Sequence, residues 1–402
     1  MACFQTLDDI DARGKRVLLR ADLNVPVKDG VVTDATRIER LAPTIETLIG
    51  KDAKVVVISH FGRPKDGPDP ALSLRPLVGP LEKAIGGRKV AFAADCIGED
   101  AKRAVAALKP GRVALLENLR FHKGEEANSP DFAKALAELG DIYVDDAFSA
   151  AHRAHASIDA LARLLPAAAG KLMEAELKAL TAALELPKRP VLALVGGAKV
   201  STKLDLLRFL ISKVDLLAIG GAMANTLLLA EGKVVGRSLC ERDMVETARQ
   251  ILALARERNC RVILPEDAVI AWELAPGTKT REIAIDAVPS DAMILDIGPK
   301  TAARIDSVLE EARTLVWNGP LGAFETPPFN QGTISVARRV AELTRADKLL
   351  SVAGGGDTVA ALAVAGVTDE LSYVSTAGGA FLEWMEGKVL PGVAALQQSA
   401  GN

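Results

Sequence analysis

No two cysteines of this 402-residue chain stand at C-x-x-C spacing, and none of its histidines completes a zinc pattern with Cys3, Cys96, Cys240 or Cys260. That excludes a sequence-readable zinc site or disulfide framework and predicts free thiols, buried or half-buried, in a reducing compartment. No apolar run approaches the roughly 20 residues needed to span a bilayer, and the opening MACFQTLDDIDARGKR has no apolar signal core. Charge of one sign is not in excess: the net charge is −3 and the pI about 6.0, which gives no reason to expect nucleic acid or an anionic membrane as partner. Two nucleotide fingerprints are missing as well. Without G-x-x-x-x-G-K-[ST] the chain is not a P-loop NTPase, and without G-x-G-x-x-G a dehydrogenase is disfavoured. The expectation is a cytoplasmic protein whose affinity for anions must come from local clusters.

What is present is a globular balance, 49% hydrophobic and 25% charged, in a chain longer than single cores usually grow. Short apolar, β-branched runs alternate with helical patterns, the signature of parallel α/β sheets. Strands are expected at Arg16–Arg20, Lys54–Ser59, Val90–Phe92, Val113–Leu116 and Ile142–Val144 in the first half. In the second half they are expected at Val191–Val195, Leu216–Ile219, Arg261–Leu264, Met293–Asp296, Leu315–Trp317, Lys348–Val352 and Ser372–Ser375. Between the two sets, Gly170–Leu186 is an uninterrupted helical pattern, and Pro187 and Pro190 punctuate the chain before the next strand. The fold class predicted is α/β: two Rossmann-like lobes, each a parallel sheet flanked by helices, joined by a linking helix. The lobes are placed at 1–170 and 187–386, with the linker at 171–186.

In open parallel sheets, ligands bind beyond the carboxyl ends of the strands, so the residues following each strand carry the function. After first-half strands come RADLN (Arg20, Asp22, Asn24), SHFGRP (His60, Arg63), ENLRFH (Asn118, Arg120, His122) and DDAFSAAHRAH (His152, Arg153, His155), with Arg37 close behind the first. All four histidines lie in this set. Convergent Arg and His make a pocket for a small, multiply charged anion, because guanidinium pairs bidentately with phosphate and carboxylate. Singly, each could be a solvated loop charge; their shared topological position argues against that.

After second-half strands come glycines: LVGGAK, AIGGAM, DIGP (Gly298), WNGPLGAFE, VAGGGDT and TAGGAF. Glycine lets a backbone approach a ligand and open a helix whose free N–H groups face it, which suits a polyphosphate. Tight strand–helix packing would also ask for glycine. In GGAKVSTK, Lys199 and Lys203 are four apart, hence expected on one face of an opening helix. In GGGDT, Asp357 sits on the glycine turn itself. A carboxylate there repels phosphate unless a cation such as Mg²⁺ intervenes, the alternative being a helix-capping aspartate.

These segments, read in order, are similar to the signature segments of the phosphoglycerate kinase family: RVLLRADLNVPVKDG, SHFGRP, ENLRFHKGEEAN, DDAFSAAHRAHAS, GGAKVSTKLDLL, VWNGPLGAFE, GGGDTVAAL and STAGGAFLEWMEGKVLPGVAAL. The resemblance covers about Arg16 to Ala395. It implies a monomeric enzyme that moves a phosphoryl group between ATP and the carboxylate of 3-phosphoglycerate with Mg²⁺. By the same resemblance Asp22, Asn24, Arg37, His60, Arg63, Arg120 and Arg153 surround 3-phosphoglycerate in the first lobe. Lys203, Glu325 (on the ribose), Gly298 (near the adenine), Gly355, Gly356, Asp357 and Thr358 hold the nucleotide in the second, with Asp357 on the metal. It also implies that the tail from about residue 387 to 402 packs back on the first lobe. Three loops depart from the family pattern: Gly220-Gly221-Ala222, Thr376-Ala377-Gly378-Gly379 and Ser149-Ala150-Ala151. No matched charged side chain is lost.

An attacking carboxylate is already ionised near neutrality, so the lack of a general-base dyad is what such chemistry predicts. It needs charge neutralised on the moving phosphoryl group, assigned here to Arg37 and Lys199, and on the nucleotide phosphates, assigned to Lys203 and Mg²⁺ on Asp357. With the two ligands on different lobes, the lobes are expected to close during transfer. A dehydrogenase would share the α/β pattern but lacks its fingerprint. A two-lobed anion-binding protein would explain the arginines but not Lys199, Lys203 and Asp357.

Overall fold

The computed structural model describes residues 4–28, 30–65 and 67–399, which leaves Cys3 outside the described residues. The chain forms two compact units, Met1–Leu177 with Val389–Asn402, and Lys178–Lys388. The division falls inside the helix Lys171–Leu180, which continues into a π-helical turn over Thr181–Glu185. Cys96 and Cys260 are buried and Cys240 is half-buried, all as free thiols.

In the first unit the strands are β1 (Arg16–Arg20), a short ribbon of β2 (Val27–Lys28) and β3 (Val31–Val32), β4 (Lys54–Ile58), β5 (Val90–Phe92), β6 (Val113–Leu115), β7 (Ile142–Asp145) and β8 (Ala167–Ala169). Six of them form one parallel sheet in the order β5-β6-β4-β1-β7-β8. RVLLR and KVVVI form central strands because four consecutive side chains of each can be buried once helices cover both faces. Val17, Leu19, Val55, Val57, Leu115 and Val144 carry the core beneath the helix Thr36–Gly50. Arg20 pairs with Ile58 on one side and Asp145 on the other, so the carboxyl ends of β1, β4 and β7 finish level. The tail helix Pro391–Ser399 is tied to this unit: Gly392 N donates to Ala151 O and Ala167 N to Ser399 Oγ, at 2.9 and 3.0 Å.

The second unit has β9 (Val191–Val195), β10 (Leu216–Ile219), β11 (Arg261–Ile263), β12 (Asp267–Ala271), β13 (Arg281–Ala284), β14 (Met293–Ile297), β15 (Thr314–Asn318), β16 (Leu350–Gly354) and β17 (Tyr373–Ser375). Its parallel sheet runs β11-β10-β9-β15-β16-β17 around Leu192, Leu194, Leu315 and the fully buried Trp317. β14 is expected from sequence as a member of such a parallel sheet. Instead it joins a separate antiparallel sheet, β13-β12-β14, over a small core of Leu228, Ala268 and Ile270. Again the tips are level, Val195 opposite both Ile219 and Asn318, and Gly354 opposite Ser375. Each parallel sheet thus presents one edge on which the loops after its strands converge.

Candidate active site

On the first unit the loops are locked to one another before any ligand is considered. Arg37, in the first turn of its helix, donates through Nη1 to Asp22 Oδ2 (2.9 Å) and Asn24 O (3.0 Å), and Ser149 Oγ donates to the same Asp22 oxygen (2.5 Å). Asn24 Oδ1 accepts from Gly62 N (3.0 Å), and Gly62 O accepts from Arg120 Nη1 (2.6 Å). Asn118 holds the β4 loop from below, accepting from Phe61 N and donating to Phe61 O at 3.1 and 2.7 Å. The structure therefore brings Asp22, Asn24, Arg37, Arg120 and the His60–Arg63 loop to one edge, with Arg63 exposed on it. Arg153 belongs there electrostatically. Its charge, with those of Arg120 and Arg20, acts on both His60 and His155.

That cluster of cations decides the state of the histidines. Burial first, and then Arg20, Arg120 and Arg153, hold His60 well below the ordinary histidine range, and the same causes push His155 down to about 4. Both are neutral rings at physiological pH, so the positive charge here is supplied by arginines. His122 is not part of the cluster: its Nε2 lies 2.7 Å from Asp95 Oδ1 and its ring stacks on Phe132. It borders a cavity of about 660 Å³ lined by Ser73, Arg75, Asp95, Glu117 and Phe121.

On the second unit, a cavity of about 590 Å³ opens at the strand tips. Its lining combines apolar side chains, Leu239, Leu274, Met293 and Leu321, with Gly197, Gly221, Gly322, Glu325 and Asp357. The expected pairing of Lys199 and Lys203 on one helix face does not occur. The helix begins only at Leu204, Lys203 closes a 3₁₀ turn over Ser201–Lys203, and Lys199 lies in the exposed loop before it. Lys203 turns inward instead, donating through Nζ to Gly196 O (2.7 Å), Asn318 Oδ1 (2.7 Å) and Asn318 O (3.3 Å). These partners are neutral, and burial pushes its ammonium down to about 8, against the opposing pull of Asp357.

The glycines make this arrangement possible by close approach. Gly319 has φ +105°, and a Cβ there would sit 2.2 Å from Gly196 O; Gly355 has φ +95°, and a Cβ would meet Asn318 Nδ2 at 2.5 Å. Asn318 Nδ2 donates to Gly354 O (2.8 Å), and Thr358 Oγ1 accepts from Gly319 N (2.7 Å), which rivets the β15 and β16 tips together. Gly356 is different: nothing lies within 4 Å of its Cβ position, and it opens the helix Gly356–Ala365 towards free space. Asp357 follows it, exposed in the first helical turn, while the cap position is Gly355 and no side chain makes a cap bond. The capping alternative for Asp357 is therefore not the geometry found. Gly298 stands outside the cavity lining and caps the helix Pro299–Glu311, packed where a Cβ would lie 2.3 Å from the Asp267 carboxyl carbon. It directly follows Ile297, which lines the cavity with Ile294, Leu295 and Asp296.

An arginine-lined edge for a small polyanion, and a glycine-turned cavity with an exposed carboxylate and a half-buried lysine beside it, together define a class: kinases that phosphorylate small anionic metabolites. A family model described as phosphoglycerate kinase matches residues 7–388. The phosphoglycerate kinase of Methylorubrum extorquens is 63% identical over 398 residues, 99% of each chain. That of Rhizobium leguminosarum bv. trifolii is 62% identical over 397 residues, 98% of this chain and 99% of its own. Among solved structures, phosphoglycerate kinase from Coxiella burnetii superposes with a TM-score of 0.92 at 44% identity, over 99% of this chain and 100% of that one. The chain belongs to the phosphoglycerate kinase family. It is an enzyme, a kinase of glycolysis, and the dehydrogenase and simple binding-protein readings fall away.

Proposed function

We propose that the first unit, with its C-terminal tail, binds 3-phosphoglycerate through Asp22, Asn24, Arg37, His60, Arg63, Arg120 and Arg153. The second unit binds Mg·ATP or Mg·ADP through Lys203, Gly298, Glu325, Gly355, Gly356, Asp357 and Thr358. The reaction is 1,3-bisphosphoglycerate + ADP = 3-phosphoglycerate + ATP, in the cytoplasm, by a monomer. The observation that carries the reading is Lys203: a half-buried ammonium whose hydrogen-bond partners are all neutral oxygens, beside glycine turns that leave space open at Gly356. Keeping that charge out of water is costly, and an anionic ligand offsets the cost.

Arg37 and Lys199 are assigned to the moving phosphoryl group. Arg37 is held by Asp22 and Asn24 in a fixed direction, as preorganised charge stabilisation requires. Lys199 is exposed and free to reach. Asp357 fits a hard divalent cation, since its carboxylate is exposed, makes no cap bond and lines the cavity. Bound there, Mg²⁺ would neutralise phosphate charge. Arg120 orients the substrate and Lys203 the nucleotide, while the acceptor carboxylate needs no base. Calorimetric titrations test this division. Arg120→Ala should weaken 3-phosphoglycerate binding and leave Mg·ADP unchanged, and Lys203→Met should measurably weaken Mg·ADP and leave 3-phosphoglycerate unchanged; a variant that weakens both or the wrong one refutes the assignment.

A further inference from the structure

We propose that Arg20 is a positioning residue that fixes His60 as a neutral imidazole with its proton on Nε2, presented as a hydrogen-bond donor to an oxygen of 3-phosphoglycerate. This rests on the assignment of His60 to the substrate edge.

Arg20 ends β1 and is only 1% exposed. Each of its three guanidinium nitrogens has a partner: Nε donates to Ser157 Oγ (2.8 Å), Nη1 to Ala21 O (2.5 Å), and Nη2 lies 3.1 Å from His60 Nδ1. A guanidinium has only donors, so the last contact is a hydrogen bond only if His60 Nδ1 accepts. Nδ1 is then unprotonated, and the single proton of the neutral ring must sit on Nε2. The far end of the network has one polarity too. Ser157 Oγ donates to Glu125 Oε1 (2.6 Å) and Ser157 N to Glu125 Oε2 (2.9 Å), leaving the hydroxyl lone pairs to Arg20. Glu125 and Ser157 are both 0% exposed. A buried carboxylate thus anchors Arg20 through one hydroxyl, and Arg20 passes that order to the ring.

The charged and titratable groups that act on His60 are Arg20, Arg120, Arg153 and His155, none of them an anion. A second proton on His60 would face three guanidiniums and would lose the Nδ1 acceptor. The ring therefore contributes direction rather than charge. Its donor matches a hydroxyl or carboxylate oxygen, while the arginines match the phosphate. A lysine at position 20 could not replace the planar fork, which serves three acceptors at fixed angles.

Long-range ¹⁵N–¹H spectra of the imidazoles test this directly on the full chain. In ligand-free protein, His60 should keep the Nε2-protonated neutral pattern as pH falls from about 8 through about 6.5, where an unperturbed histidine is half protonated. Saturating 3-phosphoglycerate should shift the His60 Nε2–H resonance. An Nδ1-protonated or doubly protonated ring at neutral pH overturns the proposal. Arg20→Met should let His60 mix tautomers and should raise the KM for 3-phosphoglycerate about tenfold, the scale of one hydrogen bond, with the KM for ATP unchanged. Should that variant fail to fold, Ser157→Ala, which frees Arg20 without touching His60, should give the same mixing to a smaller extent; a tautomer unmoved in the folded variants refutes the role of Arg20. Calorimetry on the same samples separates the two levels. Absence of any 3-phosphoglycerate heat refutes the substrate assignment of this unit. Heat with an unmoved His60 resonance refutes only the present proposal.

Discussion

Lys203 should take up a proton when the nucleotide binds. Free, its ammonium titrates at about 8 because burial dominates over the attraction of Asp357. A phosphate charge arriving within about 4 Å contributes on the order of 4 kcal/mol at an effective dielectric constant near 20. At about 1.4 kcal/mol per pKa unit, that returns Lys203 to roughly the ordinary lysine range. Binding of Mg·ADP should then take up about 0.1 proton at pH 7, about 0.5 at pH 8 and about 0.9 at pH 9, the fractions that a group titrating near 8 leaves unprotonated. Affinity should fall towards tenfold per pH unit above about 8, the limit set by one linked proton. The sign for stability follows from the same shift. The folded pKa lies below the unfolded value of 10.5, so the buried charge costs stability below about pH 8, and that cost is relieved as pH rises from 8 towards 10.5. Calorimetry of Mg·ADP binding in two buffers of different ionisation enthalpy measures the uptake, and Lys203→Met supplies the reference. Heats that do not depend on the buffer, or an uptake that survives in Lys203→Met, would refute the reasoning.

Arg37→Ala should lower kcat by about 10², the range for removal of one charge-stabilising donor, while the Kd for Mg·ADP stays unchanged; steady-state kinetics with calorimetry decide it. Asp357→Asn should raise the Mg²⁺ needed for half-maximal activity and leave Tm in place, because the wild-type carboxylate makes no cap bond; a fallen Tm with unchanged Mg²⁺ dependence would restore the capping role. Gly356→Ala should keep or slightly raise Tm, as glycine to alanine in a helix does by up to about 1 kcal/mol, yet weaken Mg·ADP, since its Cβ enters open space in the protein alone. Gly319→Ala should instead lower Tm sharply, through both a φ of +105° and a Cβ 2.2 Å from Gly196 O.

The twelve strands expected from sequence are all present, because runs such as RVLLR, KVVVI and VLALV can be stable only where both faces are covered. What the pattern could not show is which sheet a strand joins. Met293–Ile297 has the apolar run of a parallel strand, yet its one neighbour in the sheet, β12, runs antiparallel to it and pairs on its other side with β13, also antiparallel. β8 is invisible in the sequence for another reason: Ala167–Ala169 has no β-branched residue, and only its place beside β7 makes it a strand. At the site, the residues after each strand are legible because topology alone sends them to one edge. Their states are not. Nothing in GGAKVSTK reveals that the helix waits until Leu204 and that Lys203 folds back onto Gly196 and Asn318. Likewise His122 shares the strand-tip position of the other histidines but is turned away by Asp95 and Phe132. The Arg20–Ser157–Glu125 network joins residues 137 and 32 positions apart, a separation that no local pattern encodes.

The central claim is that the acceptor of the phosphoryl group is a carboxylate, already ionised and so not activated by a base. Incubating the enzyme with Mg·ATP, 3-phosphoglycerate and hydroxylamine tests it most directly, because hydroxylamine converts an acyl phosphate into a hydroxamate. Hydroxamate should form in step with ADP and only when ATP, Mg²⁺ and 3-phosphoglycerate are all present. ADP released without hydroxamate would place the phosphoryl group on a hydroxyl or on water and contradict the account.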